Sequence, residues 1–483
     1  MSLISFDIVY FLLLLMVVYF IVPAKLQRVV LFFFSCWFYF SYSVYASVAL
    51  FISALIAYVV AITINLVPRG KKWIAAVGII INVLGLLGMK YTSILKYIQL
   101  PTYDMSKISF SVIVPLGISF YTLSVIGYII DVYRGKYKAE KNFFDFILFV
   151  SYFPHILQGP IARYDQLSVQ LKEKHKFDYD RVAQGMQLMI WGYVKKMIIA
   201  ERAALFVDSA YANWSVAPGT ILVIASILYT IQIYADFSGC VDIVRGISQI
   251  LGIELIQNFR QPYFSNSIND FWRRWHISLS SWFRDYLYFP LGGNRRGIVR
   301  RWINVLIVFM VSGFWHGVGV NYIIWGGIHG LYQVIGYILK PLREKICVLA
   351  RINVTSHLFG VFRVFTTFLL INFAWIFFRL SDMHTIKMIL NKMMFDFTPW
   401  IFTDGTLYNY GISQNAWGVM LIFVSVLLLV DFLHEKNYKI RDCVNCMCLP
   451  IRWGICIGAI VSIFVFGVYG IGYDVNSFIY MNF

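Results

Sequence analysis

His316 stands near the end of an almost uncharged apolar span, Val305 to Val320, in the run Gly313-Phe314-Trp315-His316-Gly317. An imidazole at membrane depth loses its hydration, so it is rare there and faces a cavity or a partner. It is also the side chain best matched to proton transfer near neutral pH. A second imidazole, His276, sits in Arg273-Arg274-Trp275-His276-Ile277-Ser278. A third, His329, sits in Trp325-Gly326-Gly327-Ile328-His329-Gly330. Two imidazoles from different helices could share one reaction, one moving a proton and the other binding or orienting the substrate. The plain alternative for each is a buried ring satisfied by a neighbouring carbonyl.

The elements that must hold these residues are membrane helices. The chain has 483 residues, 60% hydrophobic and only 13% charged; an ordinary soluble domain carries about 25% charged residues. Mean hydropathy is +0.70. Runs such as Phe11 to Val22, Ile74 to Gly88, Leu222 to Ile233, Val419 to Val430 and Ile457 to Val468 are apolar nearly throughout. Counting windows of about 20 apolar residues, short and interrupted ones included, gives roughly ten to thirteen membrane helices. The expected fold class is therefore an all-α polytopic membrane protein, with residues 1–483 forming one integral domain.

Net charge is +17. On a soluble chain this would point to nucleic acid. Here it reads as topology, because Lys and Arg gather in cytoplasmic loops. Such loops are expected at Arg69 to Lys72, Arg134 to Lys141, Lys172 to Arg181, Arg295 to Arg301 and Lys436 to Arg441. Asp7 precedes the first apolar span, and Lys25 and Arg28 follow it, so the N-terminus is expected outside. The usual basic region of a cleavable signal is missing from the first residues. Cys443, Cys446 and Cys448 form a tight cluster beside Lys439 and Arg441. Three thiols are too few for a metal site by themselves, so free cytosolic thiols are expected and no metal is assigned.

Asp270 to Phe289 is too charged to meet lipid as a simple span. As one helix it would carry Trp272, Trp275, Leu279, Trp282 and Tyr286 on an aromatic face. Arg273, His276, Ser280 and Arg284 would form a polar face able to line a channel. Asp270 and Arg274 are spaced to pair, and Asn269 or Asp270 could cap the start. The run Pro290 to Asn294 should end the helix. Beyond it, Arg295 and Arg296 could contact phosphates, although a plain positive-inside loop is the default reading. Asp236, in Tyr234-Ala235-Asp236-Phe237-Ser238-Gly239 with Asp242 and Arg245 close behind, is expected in an Asp–Arg pair holding helices together, with orientation of an imidazole as the alternative. His155, in a stretch broken by Pro154, Gly159 and Pro160, is the mark of a re-entrant turn.

Several of these segments together resemble the membrane-bound O-acyltransferase family, and within it the bacterial alginate O-acetylation branch. They are Asn258 to Phe264, Phe271 to Ser280, Trp282 to Tyr288, Leu291 to Asn294, Tyr234 to Gly239, Trp315 to Gly317 and Ala374 to Arg379. They spread from about Pro115 to Arg379. The resemblance implies a helical bundle with re-entrant or interfacial helices and a central tunnel reached from both faces. It implies that His316 is the family's near-invariant histidine, and that His276, some forty positions earlier, is its second motif residue. Trp315 and His329 are further candidates to line the channel. The donor would be a cytoplasmic thioester, acetyl-coenzyme A or an acyl carrier, with no bound cofactor. The acceptor would be an extracytoplasmic polysaccharide, reached through a partner acetyltransferase, at the bacterial plasma membrane. Competing readings are D-alanyl transfer to teichoic acid from a carrier protein, and a transporter without chemistry. A transporter should show paired halves with matching broken helices, and none is visible.

Overall fold

The computed structural model describes residues 3–90, 117–317 and 319–469. The start of the family-like stretch at Pro115 lies outside them. Every regular element among the described residues is helical, with no strand. Among the described residues seven helices are long and apolar enough to cross a bilayer: Val44–Leu66, Lys71–Lys90, Gly219–Ile250, Ile298–His316, His357–Arg379, Gln414–Glu435 and Leu449–Phe466. Asp7–Ile21 and Ile118–Tyr133 are shorter apolar helices. At 1.5 Å per residue, the 19 residues of Ile298–His316 reach about 28 Å, close to the hydrocarbon thickness. The protein is a multi-pass helical membrane protein.

The chain folds as two compact units. One comprises Met1–Met189 with Val241–Ile256, the other Ile190–Cys240 with Gln257–Phe483. In the first, small residues let helices approach. Ala46, Ala49, Ala54, Ala57 and Ala61 form the buried seam of Val44–Leu66, which packs on Lys71–Lys90 and Ile118–Tyr133. Ser43 starts that helix, its hydroxyl accepting from the Ala46 N–H at 3.3 Å, the usual satisfaction of an orphan first-turn donor. The Pro154–Pro160 stretch makes a four-residue helix, Phe153–Ile156, followed by a tight return. There His155 Nε2 accepts from the Ala162 N–H at 3.0 Å and lies 3.2 Å from Ser124 Oγ.

In the second unit, Ile298–His316 and Val320–Ile338 form the tightest helix pair. A Cβ on Gly326 would lie 2.2 Å from the Phe309 carbonyl oxygen, and one on Gly313 would lie 2.2 Å from that of Tyr322. Only hydrogen fits at these crossings, as is common where helices pack without a hydrophobic drive between them. Hydrogen bonds fix the flanks: Asn321 Nδ2 donates to the Phe377 carbonyl at 3.1 Å. Asn372 Nδ2 donates to the Ser226 carbonyl at 2.8 Å and to Thr230 Oγ1 at 2.7 Å.

Asp236 belongs to a buried ionic cluster in this unit. Lys196, on a π-helical turn spanning Val194–Ala200, places its ammonium 2.5 Å from Asp236 Oδ1 and 2.5 Å from Glu201 Oε1. The Lys196 and Asp236 side chains are 2% and 3% exposed. Away from water such a pair is held by its geometry, and stripping one partner leaves a buried charge.

Two outcomes test this packing. Gly326→Ala should lower stability by about 1–3 kcal/mol through overpacking, read as a fall in thermal midpoint of the detergent-purified protein. Gly327→Ala, whose Cβ meets nothing within 4 Å, should leave the midpoint in place. Lys196→Met should cost about 3–5 kcal/mol. Pairing it with Asp236→Asn should restore part of the loss in the same melting assay.

Candidate active site

The helix that carries His316 begins after Gly297, whose φ of 86° suits only glycine comfortably. It ends on His316 itself, where Gly317 turns the chain to extended backbone. His316 is 2% exposed, and what surrounds it is aromatic. Its ring centroid lies 4.8 Å from Trp315, 5.2 Å from Trp325 and 5.4 Å from Phe378, all edge-on. Edge-to-face packing of this kind adds about 0.5–1.5 kcal/mol per pair beyond area burial. It fixes the imidazole plane.

His329 lies one turn beyond Trp325 on the next helix, 5.0 Å from it centroid to centroid. Its Nδ1 accepts from Trp272 Nε1 at 3.3 Å. Trp325 stacks on Trp375 at 5.7 Å and 19°, and Trp375 lies 5.2 Å from Trp275. So the structure gathers His316, Trp315 and His329 into one aromatic cluster.

His276 is completely buried, its ring 4.8 Å from Phe237 and nearly perpendicular to it. Its backbone corrects the sequence reading. Asp270 to Phe289 is not one helix. Ile268–Arg274 and Ile277–Phe283 are separate, and His276 stands between them at φ 45°, ψ 54°. That left-handed geometry is uncommon for a non-glycine residue. The break is held from outside: Asn258 accepts from the Ile277 N–H through its carbonyl at 3.0 Å and from the Ser278 N–H through Oδ1 at 3.0 Å. Arg260 N–H donates to the Arg274 carbonyl at 2.9 Å. The single polar face therefore dissolves. His276 turns inward, while Arg273 and Arg284 are exposed. Ser280, half-buried, donates to the Trp275 carbonyl at 3.4 Å. The cap is Ser267, which accepts from the Asp270 N–H at 3.2 Å, rather than Asn269 or Asp270. The Asp270–Arg274 pair does form, at 3.2 Å, and Glu435 joins it at 2.6 Å.

Asp236 is engaged by Lys196, as described above, and the partner is a lysine rather than an arginine. Asp242 pairs with Arg245 at 3.4 Å. Lys196 and Glu201 escaped the sequence reading, because a charge on an apolar run does not announce its partner. Trp375 entered only through the resemblance. Its spacing from Trp325 in sequence gives no hint that the two rings stack. Arg295 and Arg296 are exposed, after Gly292 and Gly293 in left-handed backbone. Arg301 stacks on Tyr337 at 4.0 Å. His155 belongs to the first unit. Cys443, Cys446 and Cys448 are exposed free thiols. Among the described residues no group of three or more His, Cys, Asp or Glu is arranged to hold a metal ion.

The site is thus a buried, aromatic-walled imidazole with a second imidazole in the same cluster. Such a place can move a proton and exclude water from a reactive acyl group. Comparison with known proteins shows the family of the chain. The model of the membrane-bound O-acyltransferase family matches residues 139–380. The chain is 40% identical over 289 residues to a probable alginate O-acetylase AlgI of Pseudomonas syringae pv. tomato, covering 60% of this chain and 53% of the relative. It is 33% identical over 308 residues to a peptidoglycan O-acetyltransferase of Helicobacter pylori, covering 58% and 57%. It is 29% identical over 246 residues to a teichoic acid D-alanyltransferase of Bacillus subtilis, covering 48% and 60%. The chain spans somewhat over half the length of these relatives. The matched region contains His276, His316, His329 and the rings around them, and the chain belongs to the membrane-bound O-acyltransferase family.

Proposed function

We propose that this protein is an O-acyltransferase of a bacterial plasma membrane. It takes an acetyl group from a cytoplasmic thioester and passes it outward for O-acetylation of an extracytoplasmic polysaccharide. The observation that carries the reading is the placement of His316: buried, with three aromatic rings edge-on to it, at the end of a membrane-length helix, inside the family-matched region. The higher identity to alginate and peptidoglycan acetylating relatives than to the D-alanyl-transferring one favours acetyl as cargo and a glycan as the final acceptor. A partner acetyltransferase outside the membrane would place the group on the polymer. Nucleic acid has no part in it; the positive charge serves topology and donor binding.

The chemistry follows from the residues. A hydroxyl attacks a thioester carbonyl only weakly unless its proton is taken. The neutral imidazole of His316 accepts that proton. The new C–O bond forms, the C–S bond breaks, and the proton passes to the departing thiolate. His276 and Trp315 shape the place in which the acyl group lies, with Arg273, Ser280 and Asp236 as further candidates along its approach. Arg295 and Arg296, exposed beyond the helix, meet the donor's phosphates through charge-assisted hydrogen bonds. The acyl donor is acetyl-coenzyme A or an acetylated carrier, a substrate rather than a resident cofactor.

His316→Ala should lower acetyl transfer by at least about 100-fold while the protein remains folded and inserted. Full transfer by this variant would end the proposal. Arg295→Gln with Arg296→Gln should raise the donor KM about tenfold for each contact of about 1.5 kcal/mol lost, with kcat little altered. Steady-state kinetics against donor concentration separates the two parameters.

A further inference from the structure

Trp325, which packs on His316, and its two neighbours Trp375 and His329 carry three buried N–H donors that meet no acceptor. Trp325 is 1% exposed and Trp375 0%, and the Nε1 of each has no hydrogen-bond partner. His329 is also fully buried. Because its Nδ1 accepts from Trp272 Nε1, the single proton of the neutral ring sits on Nε2. That nitrogen has no partner either. An indole N–H can only donate. Leaving one donor buried and unmet costs about 1–3 kcal/mol, and native interiors rarely do so.

These three donors belong to one cluster. Ring centroids of Trp325 and His329 are 5.0 Å apart, those of Trp325 and Trp375 5.7 Å, and those of Trp375 and His329 6.3 Å. Trp325 is the ring that meets His316 edge-on. The other rings against this trio include Phe378, Phe309 and Phe271, which offer no acceptor, and Tyr332, whose hydroxyl accepts from none of the three donors. A group of donors in a dry, apolar wall is unsuited to a cation. It suits an oxygen that carries, or will develop, negative charge.

Building on the acyl-transfer reading, we infer that Trp325, Trp375 and His329 donate to the carbonyl oxygen of the acyl group while His316 handles the proton. In the resting complex they hold the thioester carbonyl in place. When the acceptor oxygen adds to the carbonyl carbon, its proton goes to His316 and the carbonyl π pair moves onto the oxygen. The three N–H groups face that charge. On collapse the pair returns, the C–S bond breaks, and the thiolate takes the proton from His316. Since the donors are already stripped of water, no solvent has to reorganise as the charge appears.

The test uses the full-length protein in lipid nanodiscs. The variants are Trp325→Phe, Trp375→Phe and a Trp325 replaced by 3-benzothienylalanine, which keeps the bicyclic shape and has sulfur where the N–H was. Two quantities are read on each: acetyl transfer, and the infrared carbonyl band of bound acetyl-coenzyme A labelled with 13C at the carbonyl. Each lost donor should lower kcat on the order of 100-fold, leave the acceptor KM nearly fixed, and move the carbonyl band to higher wavenumber. The benzothienyl variant decides the matter if the phenylalanine variants fold poorly. An active parent whose carbonyl band and kcat are the same in the benzothienyl variant overturns the donor assignment and leaves acyl transfer standing. A band that shifts in the variants of a parent without transfer activity supports a carbonyl site and removes the acyl-transfer reading.

Discussion

Two helix backbones touching at Gly313 and Gly326 determine where the imidazole of His316 can be. With hydrogens alone at these crossings, Ile298–His316 and Val320–Ile338 approach until one helix's carbonyl oxygens meet the other's Cα atoms. His316 lies three residues past Gly313, and Trp325 lies directly before Gly326. The contact that seats the glycines therefore presses Trp325 edge-on against His316. A side chain at either glycine would part the helices and open the aromatic wall. Asn321 adds direction to this contact, tying the start of the second helix to the Phe377 carbonyl, next to Phe378. The wall around His316 thus comes from three helices whose spacing is set by two missing methyl groups and one amide.

The ionic cluster of Lys196, Asp236 and Glu201 does a different job. It lies on a π-helical turn and on the long helix Gly219–Ile250. One residue after Asp236, Phe237 meets the ring of His276. In a low-dielectric interior an ion pair is directional, because any displacement exposes unbalanced charge. Anchoring Asp236 holds the turn of helix that presents Phe237. The ammonium thereby positions an aromatic neighbour of His276 without approaching an imidazole itself.

How far the sequence carried this picture depended on the range of the interactions involved. Membrane class was legible because composition is a sum over the chain. His316 was legible because one imidazole stands out in an apolar run. The Asp270–Arg274 pair was legible because helical spacing is local. The break at His276 was not: the run from Asp270 to Phe289 has a consistent helical pattern, and what splits it is Asn258, many residues upstream, supplying acceptors for the Ile277 and Ser278 N–H groups. Local periodicity cannot foresee a distant amide that competes for backbone donors. The same holds for Lys196, which looked like an interruption of an apolar segment until Asp236 and Glu201 closed on it. Trp375 stacks on Trp325 across two separate helices, and nothing in their spacing encodes that meeting.

An aromatic wall serves a transferase better than an aliphatic one for a reason that concerns polarity rather than size. Leucine would exclude water equally well, yet it offers nothing to an oxygen. Indole and imidazole exclude water with their faces and carry one N–H at the edge. A wall built from them can be dry toward solvent and polar toward one chosen atom. Trp272 illustrates the division of labour: its N–H is spent on His329 Nδ1, which fixes the tautomer and leaves the His329 proton on Nε2. Remove that bond and the imidazole could present a lone pair where a donor is wanted. In the proposed acyl transfer, Trp272 therefore acts through a proton's position, one residue removed from the reacting atoms.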